Sequence, residues 1–125
     1  YDGSDFKTLS DTLRGSGHPT MHPNGRHIIT DCYPYEEGEG ATHVPLRWID
    51  LQTDSESALV QVPCVPEFTG AKGELRIDPH PAWDYQFKRV AYNCLDQGVR
   101  KVAIADLSRM LFEPNLIYDE PNSSQ

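Results

Sequence analysis

The sequence predicts an all-β protein built from two four-stranded antiparallel blades of a β-propeller, and three observations lead there. The run Ser16-Gly17-His18-Pro19 through Asn24-Gly25-Arg26-His27 to Asp31 is echoed by Asp78-Pro79-His80-Pro81 through Asp84 and Arg89 to Asn93. Each copy then closes a later alternating segment on Asp-Leu, at Asp50-Leu51 and at Asp106-Leu107. Between these segments stand turn-forming residues, Asn24-Gly25, Gln52-Thr53-Asp54 and Asp96-Gln97-Gly98, which suit antiparallel connections. A repeat of this length with several short strands per copy is the pattern of a propeller blade.

Residues 1–15 are expected to be an N-terminal segment or a strand of a preceding blade. The first blade spans 16–66. His18-Pro19 opens its first strand, Asn24-Gly25 turns the chain, and Arg26 starts the second strand. The loop from Tyr33 to Val44 leads to a third strand ending at Trp48-Ile49-Asp50-Leu51, and Ser57–Pro63 supplies the fourth. The second blade spans 67–118 and repeats the order, with its third strand ending at Ile104-Ala105-Asp106-Leu107 and a weaker fourth strand at Asn115–Tyr118. Residues 119–125 read as a flexible tail. The histidines of the repeat lie 62 residues apart and the Asp-Leu pairs 56 apart, because the first copy carries the longer loop.

Propellers close with 4 to 8 blades, and 125 residues hold two. The expectation is therefore part of a larger propeller, completed by remaining blades or by other copies of the chain. The alternative is a self-contained β-sandwich, a size that suits this length.

Composition sets bounds on partners. A net charge of −8 and a pI near 4.9 argue against nucleic acid or an anionic membrane, since both need a basic face. No apolar run approaches the ~20 residues of a membrane span. Cys32, Cys64 and Cys94 are odd in number and lack CxxC spacing, which disfavours a disulfide framework; Cys32 and Cys94 hold nearly matching places and read as small buried filler. The acidic run Tyr35–Gly40 reads as a solvated hairpin tip.

Candidate chemistry gathers on the His-Pro segments. His18 and His80 hold the same place in the two copies. Asp78, two residues before His80 on an extended segment, faces the same side. These three form a two-histidine, one-carboxylate set suited to a divalent ion such as Mn, Zn or Ca, and Glu74 extends it as a further ligand. Arg76 is the anion contact. Against this stands an architectural reading, in which the imidazoles donate to backbone carbonyls across the blade junction and hold nothing. His22 reads as a turn or cap residue, His27 as solvent-facing and His43 as surface. Trp48 and Trp83 read as packing between blades, with sugar stacking as a second role that makes Trp83 a substrate-contact candidate. Asp50 and Asp106 read as turn formers.

Gly17-His18-Pro19, Asn24-Gly25-Arg26, Thr30-Asp31, Tyr33-Pro34, Gly73 to Pro81 and Gly98 to Leu107 together resemble the later blades of oligogalacturonate-lyase-like seven-bladed propellers. The likeness covers about Gly15 to Ser108. In that family a histidine on one blade and a His-Pro-His-Pro segment on the next hold a divalent metal, with a glutamine as further ligand. His18 and His80 match two of those histidines, Asp78 replaces the third, and no residue here matches the glutamine. The family's catalytic base belongs to an earlier blade, which this chain lacks. The resemblance implies metal-assisted β-elimination on uronic-acid-containing oligosaccharides or polysaccharides, with a periplasmic or extracellular setting. The alternative is a noncatalytic binding, scaffold or self-assembling propeller. A peptidase-associated propeller is a further reading, although no Gly-x-Ser-x-Gly elbow is present.

Overall fold

The structure, a computed structural model, describes residues 2–112. Seven strands form two antiparallel sheets. The first has the order β1 (Thr20–Met21), β2 (His27–Thr30), β3 (His43–Asp50), β4 (Ser55–Pro63). The second has the order β5 (Ala82–Trp83), β6 (Arg89–Asp96), β7 (Val99–Asp106), followed by a short helix α1 (Ser108–Phe112). A 3₁₀ turn at Pro34–Glu36 lies in the loop before β3. The expected fourth strand of the second unit, Asn115–Tyr118, falls outside the described residues. Residues 2–15 contain no strand.

Local chemistry explains the strand ends. Asn24 accepts backbone N–H bonds from Arg26 and His27 through its side-chain oxygen, which closes the β1–β2 turn on an Asx motif. Asp84 does the same in the second copy, accepting from Lys88 and Arg89. Asp50 accepts from the Gln52 N–H and Asp106 from the Ser108 N–H, so each Asp-Leu pair ends its strand by turning it. Asp50 also takes the Arg26 guanidinium, with Nε 2.8 Å away, and that pairing holds its carboxyl well below the usual range.

The sheets pack face to face. Ile29 and Trp48 pair across β2 and β3, so with Leu46 they share one face of the first sheet. That face meets Val90, with Trp83, Tyr92, Cys94 and Ala105 around it. Trp48 and Trp83 touch edge to face with ring centres 6.4 Å apart. Burying aliphatic and aromatic side chains of this size stabilises the fold by roughly 1.5–3 kcal/mol each. Leu107 closes the same cluster from the start of α1.

Three expectations change here. His27 is not solvent-facing: its side chain is only 12% exposed, it stacks on Trp48 at 4.5 Å, and burial lowers its pKa. Alternation with Ile28 could not reveal this, because both faces of the first sheet are covered. Cys94 is only half-buried, whereas Cys32 and Cys64 are fully buried. The acidic loop is anchored at its base, since Glu36 accepts from the Ser16 hydroxyl and the Tyr33 N–H while Glu37 pairs with Arg14.

The repeat maps Leu46 onto Val102 and Trp48 onto Ile104, yet Leu46 is 0% and Trp48 8% exposed against 67% and 68% for their counterparts. Leu46→Ala should therefore cost about 2–5 kcal/mol in urea unfolding of dilute protein, and Val102→Ala less than about 0.5 kcal/mol. Equal losses at the two positions would contradict the packing described.

Candidate functional site

The site begins with a carboxylate. Asp31 directly follows β2, and its side chain is 0% exposed. Oδ1 accepts the His18 backbone N–H at 2.7 Å, Oδ2 accepts the His80 backbone N–H at 2.8 Å, and His18 Nδ1 lies 3.1 Å from both oxygens. One buried carboxylate thus holds the His-Pro segments of both copies, which is how the fold meets the need of a buried charge for donors.

Two backbone features make this possible. Gly17 has φ +78, and a Cβ there would lie 2.1 Å from the Asp31 carbonyl oxygen and 2.3 Å from its Oδ1; only glycine permits the approach. His80 has φ +49, a left-handed conformation that disfavours a residue with a Cβ. It turns the His80 N–H into Asp31, and that charge-assisted bond offsets the cost.

With Asp31 as acceptor, Nδ1 of His18 carries the proton and donates, which leaves Nε2 with its lone pair in the neutral ring. The two imidazoles lie against each other with ring centres 3.6 Å apart and planes tilted by 31°. Tyr33 meets His18 edge to face at 5.7 Å and stacks on Tyr35 at 5.5 Å. The Arg76 guanidinium stands 5.6 Å over the Tyr33 ring, and its Nε donates to Asp78 Oδ1 at 3.0 Å. Tyr33, Tyr35, Thr69, Val65 and Arg76 line an open groove of about 820 Å³, whose far wall is the loop Gly38–Ala41.

The structure brings some of the sequence-predicted site residues together and separates others. His18 and His80 meet. Asp78 is engaged by Arg76, and the peptide N–H groups of Glu74 itself and of Lys72 hold the Glu74 carboxyl low within its own turn. Among the described residues, no three of His, Cys, Asp and Glu are arranged to hold a metal ion. Trp83 does not reach the groove: it belongs to the core between the sheets, beside Trp48 and 5.0 Å from His22. Its place in the strand copy equivalent to Met21 puts its ring on the buried face. His22 ties the two turns together, Nε2 donating to the Phe87 carbonyl at 3.0 Å.

Sequence reasoning gave no role to Gly17, Asp31, Tyr33 or Tyr35. A signal for Asp31 existed, since it recurs in the second copy as Asn93, which turns its amide to the Asp78 carbonyl instead. Comparison with protein-family models, curated proteins and solved structures gave no match.

Asp31→Asn places an N–H₂ or a neutral oxygen where charged acceptors met three N–H groups. It should cost about 3 kcal/mol in chemical denaturation, and Gly17→Ala should cost a comparable amount through the clash at Asp31; a loss below about 1 kcal/mol for both would remove the clamp from the argument. Burial pushes the Cys32 thiol up to about 12 and the Cys64 thiol up to about 11. At about pH 8 their thiolate fractions are then about one in ten thousand and one in a thousand. A thiol reagent should label Cys94 first in native protein and all three cysteines in denaturant; early labelling of Cys32 would contradict its environment.

Proposed function

We propose that this chain is the substrate-facing pair of blades of a carbohydrate-active β-propeller that binds uronic-acid-containing glycans and takes part in their cleavage by β-elimination. The observation that carries the reading is the juxtaposition around Tyr33: a carboxylate-oriented imidazole edge to face with its ring and a guanidinium over it, beside an open groove. Arg76 can take the C6 carboxylate of a uronate, the planar carboxylate being matched to the guanidinium fork. Tyr33 and Tyr35 offer aromatic faces for the sugar rings, the role that Trp83 cannot fill from the core.

The elimination needs three things from a protein. Charge neutralisation at C6 makes the C5 proton acidic, a base removes that proton, and the electrons released form the C4–C5 double bond as the C4–O bond breaks and the departing oxygen gains a proton. Arg76 serves the first step. His18 serves the second through Nε2, with Asp31 orienting the ring and stabilising the imidazolium that forms. A divalent ion held by His18 and His80 would be the other source of charge neutralisation; it would exclude His18 as base, because a coordinated nitrogen has no lone pair to accept a proton. Metal analysis separates the two arrangements.

A second reading rests on a different observation. Both His-Pro segments are fixed by backbone N–H bonds to Asp31, which serves a noncatalytic binding or scaffold propeller equally well. Binding is the discriminating readout. Calorimetry with galacturonate and glucuronate oligosaccharides should show binding that Arg76→Ala weakens about tenfold or more, without loss of fold. Failure of the unaltered protein to bind any uronate oligosaccharide would leave the scaffold reading in its place.

A further inference from the structure

We infer that the far face of the second sheet is a docking surface for a second copy of this chain, which meets it head to tail through the far face of its own first sheet. The inference rests on the repeat and the packing, and is independent of any sugar.

The internal repeat carries β2 onto β6 with a spacing of 62 and β3 onto β7 with a spacing of 56. Ile29, Leu46 and Trp48 of the first sheet therefore correspond to Ala91, Val102 and Ile104 of the second. In the first sheet this face is buried against the second. In the second sheet no described residue covers the same face: Ala91 pairs with Ile104, and both Val102 and Ile104 are exposed. A face with two β-branched side chains in the open on adjacent outward positions of one strand is unusual for a finished surface.

The molecule also shows what such a face accepts. The surface seated on Ile29, Leu46 and Trp48 carries Trp83, Val90 and Ala105. Their counterparts in the first sheet are Met21, Ile28 and Ile49, on the face turned away from the second sheet, where Ile28 pairs with Ile49 and Met21. The chain thus carries the two halves of one sheet-to-sheet junction on its opposite sides, and the junction formed inside the molecule is the template for the one between molecules. A contact between two different surfaces repeats from copy to copy until a ring closes, which two copies can already do if each seats its second sheet on the other's first.

The half on the first sheet is loosely covered. The strandless segment 8–16 crosses it, leaving a cavity of about 400 Å³ lined by Leu9, Leu13, Ile28, Ile49 and Leu51. This cover buries Ile28 and Ile49 to 8% and 7% exposure while Leu9 and Phe6 themselves stay largely exposed, so a sheet that docks on this face has to displace it. The net charge of −8 opposes association between copies at low ionic strength, and salt screens it.

Sedimentation equilibrium from about 10 µM to about 500 µM protein, at low and moderate salt, tests the inference. The expected result is an average mass that rises with concentration above that of the 14.1 kDa chain, more steeply in salt. Ile104→Lys should weaken association at least tenfold while circular dichroism shows the sheets intact, because Ile104 is 68% exposed and belongs to no core cluster among the described residues. A mass of one chain at every concentration overturns the inference. So does association unchanged by Ile104→Lys.

Discussion

Asp31 is a carboxylate with no access to water, and a group of that kind persists in a folded protein only where donors surround it. Here the donors come from the two copies of one sequence motif, so a single side chain joins the His-Pro segments that lead into the two sheets. The contact of His18 with His80, the tautomer of His18 and the left-handed backbone at His80 all follow from where its two oxygens lie. Gly17 is the steric counterpart of the same demand. An electrostatic requirement at one atom pair thereby fixes the imidazole that meets Tyr33, whose ring also lies under Arg76.

The second constraint is that a sheet has two faces. The first sheet satisfies both, one by the second sheet and the other by the strandless N-terminal segment, and its third strand is consequently buried along most of its length. The second sheet satisfies one, and β7 is exposed at six of its eight positions. This asymmetry between the two related units separates stability from association: positions that hold the core together in one copy are exposed in the other. The polar site lies apart from that question, at the ends of the strands where backbone groups no longer pair within a ladder and are free to take side-chain partners.

Much of the fold was legible in the residues. Asn24-Gly25, Asp84, Asp50 and Asp106 mark turns because short polar side chains accept backbone N–H bonds at fixed offsets, and that chemistry is local. The alternation of Arg89 to Asp96 and Val99 to Asp106 gave the strands for the same reason. His27 and Trp83 were less legible, since the period of two says which residues share a face but not what covers that face. The meeting of His18 with His80 was anticipated from the repeat, whereas the withdrawal of Glu74 and Asp78 into contacts of their own was not: Glu74 is claimed by its own turn and Asp78 by Arg76, both at short range.

By itself the sequence determined the strands, their antiparallel order and the pairing of two copies, because propensity, turn chemistry and repetition act over a few residues and leave their mark in composition and spacing. Only the tertiary structure decided that Asp31 rather than Asp78 joins the two histidines, that Tyr33 and Tyr35 rather than Trp83 line the groove, and that one copy is covered where no described residue covers the other. Each of those outcomes depends on which of several similar residues reaches a given point first, over separations of 13 to 49 residues for the Asp31 contacts. A side chain's type fixes what it can bind; the path of the chain fixes what it meets.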